Sequence, residues 1–130
     1  MEIKNKTYGD VLVLSPEGRI DHANSEEFRN GLVPFIDRCK SDGERVVLDL
    51  AGVDYISSAG LRILMVAAKE LRAAGAKIAV ADLRPIVAEI FAISRFDRVL
   101  GVFPSVRAAI EQCSPTALAA FDAAQPTATR

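Results

Sequence analysis

Ten residues in the middle of the chain, Val53-Asp54-Tyr55-Ile56-Ser57-Ser58-Ala59-Gly60-Leu61-Arg62, carry the pattern that bears most directly on chemistry. The stretch passes from a loop into a helix. The small residues Ser57 to Gly60 leave backbone N–H groups uncovered at the helix start. Those groups and the helix dipole favour an anion. A phosphate on a serine at this point would be held by that end of the helix and would add about −1.5 to −2 charges to a neutral surface. A protein docked there would then meet new bulk and charge. The plainer reading of the same residues makes Ser57 or Ser58 an N-cap, worth about 1 kcal/mol, and Gly60 a close backbone approach.

Residue types suited to catalysis do not converge elsewhere. His22 is the only histidine, so a hydrolase triad has one candidate base, and no GxSxG elbow supplies its nucleophile. Neither a GxxxxGK[ST] phosphate loop nor a GxGxxG fingerprint is present. The two cysteines, Cys39 and Cys113, form no CxxC pair and lie far from His22 in sequence, too few ligands for zinc. The expectation is a chain without catalysis, metal or cofactor, its thiols reduced in the cytoplasm. Cys39 reads as core, on the face of Phe35 and Ile36. Asp21 reads either as a brace of the loop before the first helix or as a partner contact, and His22 as an exposed loop histidine. Arg62 lies in the first helical turn, where the dipole disfavours a cation. That suits a partner contact or a phosphate-facing role, beside the ordinary reading of a solvated arginine.

Periodicity gives the helices and strands around these residues. Residues 1–18 read as two strands around a turn at Tyr8-Gly9-Asp10, with Val11-Leu12-Val13-Leu14 as the second. A helix begins at Asn24 or Ser25, with Glu26 and Glu27 in its first turn. Its buried face is Phe28, Leu32, Phe35, Ile36 and Cys39, and it ends at Ser41-Asp42-Gly43. Val46-Val47-Leu48-Asp49-Leu50 is a strand with little alternation, as in a sheet covered on both faces. A loop through Gly52 and Asp54 leads into the second helix, which runs to about Ala74 and stops at Gly75. A strand at Ile78–Ala81, a helix opened by Pro85, a short strand between Val99 and Phe103 and a helix from Pro104 to Cys113 complete the order. It argues α/β or mixed α+β with a central mixed sheet of four or five strands and about four helices, mainly on one side. From Ser114 the chain is rich in Ala, Thr and Pro. It reads as a flexible tail over 114–130, or at most a loosely attached helix over 116–124.

Composition sets the outer limits. The 130 residues suit one domain, here 1–113, able to bury a core without disulfides or metal. With 16 basic and 17 acidic residues the net charge is −1, which gives no electrostatic case for nucleic acid or an anionic membrane. No apolar run approaches the roughly 20 residues needed to span a bilayer, and the first residues do not read as a signal peptide.

The segment Tyr55-Ile56-Ser57-Ser58-Ala59-Gly60-Leu61 resembles the signature of the STAS family, which includes bacterial anti-sigma factor antagonists. There a strand and an apolar pair precede Asp-Ser-Ser-Gly-Leu or Asp-Ser-Ala-Gly-Leu at a helix start. Gly18-Arg19-Ile20-Asp21-His22-Ala23-Asn24 is similar to the family's Gly-x-Ile/Leu-Asp segment, and Val46 to Leu50 to its central strand. The resemblance covers residues 1–112. It implies a STAS-like fold and partner switching. An unphosphorylated antagonist binds an anti-sigma factor, itself a GHKL-type serine kinase, and so frees a sigma factor. Phosphorylation of the serine after the motif's Asp breaks the complex, and a PP2C-type phosphatase reverses it. By position the acceptor is Ser58. The partner surface is then Asp21, His22, Asn24, Ser57, Ser58, Ala59, Gly60, Leu61 and Arg62. One residue departs from the pattern: the family's Asp is Ser57 here. That removes a carboxylate beside the acceptor and offers Ser57 as an alternative acceptor. It also leaves open a plain binding module, a subunit of a transporter or stressosome-like assembly that is not phosphorylated.

Overall fold

A computed structural model of the chain describes residues 3–125. The strands β1 (Lys4–Tyr8), β2 (Val11–Ser15), β4 (Arg45–Asp49), β6 (Ile78–Ala81) and β7 (Gly101–Phe103) form one sheet in the order β1-β2-β4-β6-β7. β1 and β2 are an antiparallel hairpin, and the remaining pairs are parallel. β3 (Gly18–Ile20) and β5 (Val53–Ile56) pair with each other as a separate parallel ribbon. The helices are α1 (Ser25–Asp42), α2 (Ser58–Ala73), α3 (Pro85–Ile93), α4 (Val106–Cys113) and α5 (Pro115–Ala124), with a 3₁₀ turn at Phe96–Arg98.

The central strands bury residues on both faces because side chains alternate along a strand. Leu12, Leu14, Val46, Leu48 and Val80 join the larger core with Phe28, Leu32 and Ile36 of α1 and Leu64 and Leu71 of α2. Val11, Val13, Val47 and Ala81 point the other way, to Ala109 and Ile110 of α4 and Ala117 of α5. On α1, Phe28, Leu32, Ile36 and Cys39 are the buried residues, at helical spacing. Burial of a side chain of this size is worth about 1.5–3 kcal/mol relative to exposure. Phe35 lies at the edge of that face, only partly buried. Gly43 ends α1 in the left-handed region at φ 73°, its N–H donating to the Cys39 carbonyl.

Two parts differ from the expectation. The loop expected through Gly52 and Asp54 contains β5, and Gly18–Ile20, unassigned by periodicity, is β3. Strands this short carry too few residues for a pattern, and their pairing is set by tertiary contact. The segment expected as a flexible tail, or at most a loosely attached helix over 116–124, contains α5, which is packed. Its start is capped by Ser114, whose Oγ accepts from the Ala117 N–H, and Pro115 takes the first position, where its missing N–H costs nothing. Ala117 is fully buried, Phe121 meets the edge of the Tyr8 ring with centroids 5.1 Å apart, and Arg107 pairs with Asp122. The rest of the expected tail, residues 126–130, lies outside the described residues.

Candidate functional site

The β3–β5 ribbon brings the two singled-out segments side by side. Ile20 pairs with Ile56, so both strands end at one level, and the Ser57 N–H donates to the Ile20 carbonyl at 2.8 Å. From this level β3 leads into the Asp21–Asn24 loop and β5 leads into α2. Gly60 sits directly on the ribbon. A Cβ there would lie 2.8 Å from both Ile20 Cγ2 and Ile56 Cγ1, so only glycine lets the helix start so close.

The start of α2 separates the roles of its two serines. Ser57 is the N-cap in an extended conformation, and its Oγ accepts from the Gly60 N–H at 3.3 Å. Its carbonyl accepts the first helical bond from the Leu61 N–H. Ser58 is therefore the first helical residue, exposed, its hydroxyl free of the cap. Among the described residues nothing accepts from the Ser58 and Ala59 N–H groups. They are the uncovered donors that a helix start presents.

In the neighbouring loop, Asp21 and Asn24 brace each other. Asp21 Oδ1 accepts from the Ala23 and Asn24 N–H groups, and Asn24 Oδ1 accepts from the Asp21 N–H. Asn24 Nδ2 donates to the Arg19 carbonyl. Asn24 is the N-cap of α1 by position, yet its side chain serves the loop rather than the helix. The backbone donor at Asn24, with help from Arg19 and Ala23, holds the Asp21 carboxyl below its ordinary range. The Arg19 guanidinium pairs with Asp21 and lies over the Tyr55 ring, 4.3 Å from its centroid. His22 is exposed at the loop tip, and its carbonyl accepts from Ser25 Oγ.

The singled-out residues thus gather at one end of the ribbon, with different exposure. His22, Ser58 and Arg62 are exposed; Asp21, Asn24, Ser57 and Ala59 are half-buried. Gly60 is buried and Leu61 only 5% exposed, so these two contribute little area to the surface at this end. The same end includes residues that periodicity did not single out. Ser58, Leu61, Arg62, Met65, Ser94 and Phe96 line a shallow depression of about 330 Å³. Ile93, at the end of α3, is 74% exposed. Their contribution is tertiary, since nothing local to residues 93–96 points to α2. A larger cleft of about 640 Å³ lies at the other end of α2, beside Arg72, Gly75 and Cys113, away from the serines. Among the described residues no cluster of His, Cys, Asp or Glu could hold a metal ion, and no helix is long and apolar enough to cross a membrane. Burial pushes the Cys39 thiol up to about 11.

Comparison with known proteins agrees with this arrangement. The STAS domain family model matches residues 2–109, and the chain belongs to that family. It is 38% identical over 117 residues to a candidate anti-sigma factor antagonist, BtrV, of Bordetella bronchiseptica, across 89% of this chain and 90% of that protein. A crystal structure of a candidate anti-sigma factor antagonist from Thermotoga maritima superposes with a TM-score of 0.77 at 20% identity, over 85% of this chain and 92% of the other. The Bacillus determinant SpoIIAA in its phosphorylated form gives 0.62 at 16% identity, over 86% and 99%. At such identities the two structures establish the fold. The mixed five-stranded sheet with its helices is the STAS fold.

Proposed function

We propose that this protein is an anti-sigma factor antagonist controlled by phosphorylation of Ser58. With Ser58 bare, the face formed by the Asp21–Asn24 loop and the start of α2 binds an anti-sigma factor that is also a serine kinase, and a sigma factor is freed. The kinase transfers the γ-phosphoryl group of ATP to Ser58 Oγ, with ADP and the hydroxyl proton leaving. The phosphate then adds about −1.5 to −2 charges to the docked surface, and the complex separates. A PP2C-type phosphatase hydrolyses the ester and restores the hydroxyl. All of this takes place in the cytoplasm, and the chain itself performs no catalysis.

The observation that carries this reading is the division of labour at the helix start. Ser57 is occupied as the cap, whereas Ser58 is exposed and uncommitted beside unpaired N–H groups. Two relatives named for anti-sigma factor antagonism support the general role. Incubation with the cognate kinase and ATP, followed by peptide mapping, tests it. Phosphate at Ser58 is expected. Ser58→Ala should accept none and still bind, while Ser58→Asp should bind less well. An active kinase that leaves both Ser58 and Ser57 unmodified would overturn the switch. Ser57 in place of the family's Asp favours a second reading, a STAS module that binds within a transporter or stressosome-like assembly without phosphorylation. Genes for transporter subunits beside this one, rather than a kinase and phosphatase, would support that reading.

A further inference from the structure

Arg62 is an exposed cation whose side chain has no ion pair or hydrogen bond among the described residues. Arg19, by contrast, is committed to Asp21 and the Tyr55 ring, whereas exposed Arg95, between Ser94 and Phe96, resembles Arg62 in having no side-chain partner among the described residues. Arg62 is also the fifth residue of α2, close to the end whose dipole opposes a positive charge.

Its geometry relates it to Ser58. The two residues are four apart on one helix, hence neighbours on one ridge with Cβ atoms about 5–6 Å apart. Long helical side chains lean toward the helix N-terminus, a direction that would carry the guanidinium of Arg62 toward the turn that begins with Ser58. Both residues line the same shallow depression, with Leu61, Met65 and Phe96. The position next to Ser58 holds neutral Ser57, so no carboxylate there competes for the guanidinium. Asp54, the nearest acid before the helix in sequence, is taken by Arg84 at 2.6 Å.

We propose that Arg62 is a clamp in cis for a phosphate on Ser58, its guanidinium donating to the phosphate oxygens across one helical turn. The proposal rests on the reading of Ser58 as the acceptor. A guanidinium presents paired donors that match phosphate oxygens. Phosphorylation then changes the docking face twice over. It adds an anion, and it withdraws the cation that a carboxylate of the bound partner would otherwise meet.

The test needs no kinase. Phosphoserine is inserted at position 58 during translation of the full chain, and its second ionisation is followed by ³¹P NMR across pH 4–8. The midpoint should lie about 0.4 lower than in the same protein carrying Arg62→Gln, roughly 2.5-fold in the acid dissociation constant. Arg62→Lys should recover part of the difference, and added salt should shrink it. Matching amide spectra would show the fold unchanged, as expected for an exposed side chain. Coincident midpoints in the native and Gln proteins would overturn the clamp. Failure of a kinase to modify Ser58 would instead remove the functional reading and leave the titration standing, so the two failures are separable.

Discussion

Two helix starts in this protein are built alike and used differently. At α2, Ser57 Oγ accepts from the Gly60 N–H at 3.3 Å; at α5, Ser114 Oγ accepts from the Ala117 N–H at 3.2 Å. Both caps have extended backbone. The residues after the cap differ. Ser114 is 5% exposed and is succeeded by Pro115, which leaves no donor at the first helical position. Ser57 is half-buried and is succeeded by exposed Ser58, with its N–H and that of Ala59 open. A serine cap is therefore a fold device wherever it occurs. An exposed second serine, set by a buried glycine against a ribbon of two strands, makes one of these starts a place where a partner can be controlled.

Substitutions at the two starts put this contrast to the test. The largest difference is all-or-none: Ser58→Ala should abolish kinase-dependent phosphate, whereas Ser114→Ala should leave its amount and position unchanged by mass spectrometry. Next comes Gly60→Ala, which places a methyl 2.8 Å from two isoleucine carbons. It should lower stability in urea by about 1–3 kcal/mol, because overpacked sites relax only partly. The two caps should then rank by burial rather than by bond length. Ser114→Ala leaves the N–H of a fully buried residue without its acceptor and should cost about 1–3 kcal/mol. Ser57→Ala, at a wetter site, should cost about 1 kcal/mol. Equal losses would show that water reaches both caps alike.

The smallest effect concerns the loop beside Ser57. The Asp21 carboxyl is held below its ordinary value chiefly by the Asn24 N–H, so its charged form is favoured in the folded state. The stability it lends is present above the unfolded value, near pH 3.9. It is lost as pH falls through the lower folded value. Asp21→Asn should lower stability slightly at neutral pH, leave the most acidic region nearly unchanged, and so flatten this part of the acid unfolding curve. An identical acid slope in both proteins would count against the brace.

Much of this was legible in the residues. Gly43 and Gly75 end helices with φ of 73° and 82°, Pro85 opens one, and the spacing of Phe28, Leu32, Ile36 and Cys39 marks the buried face of α1. These signals are local, set by backbone freedom and a period of 3.6. The ribbon of β3 and β5 was not legible, because three and four residues hold no period and their hydrogen bonds lie with each other. α5 was legible only as a loosely attached helix over 116–124, because an Ala- and Thr-rich composition concealed one fully buried alanine and an aromatic contact. At the site, the signature at Ser57–Leu61 and the Asp21 loop were visible. Phe96 and Ser94 were not, because only folding sets them beside Ser58.

The packing of α5 bears on how the protein can be handled. Gly9, at φ 57°, lies so close to the Ala117 backbone that a Cβ would come within 3.2 Å, and Phe121 covers Tyr8. The family match ends at residue 109, short of this helix. A chain shortened to that limit would keep every residue of the Ser58 face yet uncover Val11, Val13 and Ala109, which cluster with Ala117. Such a fragment would carry a sticky apolar flank beside β1, a strand at the edge of its sheet, and would tend to self-associate. In binding assays that stickiness would imitate partner capture, so soluble behaviour and clean specificity depend on a helix far from the serine that specificity concerns.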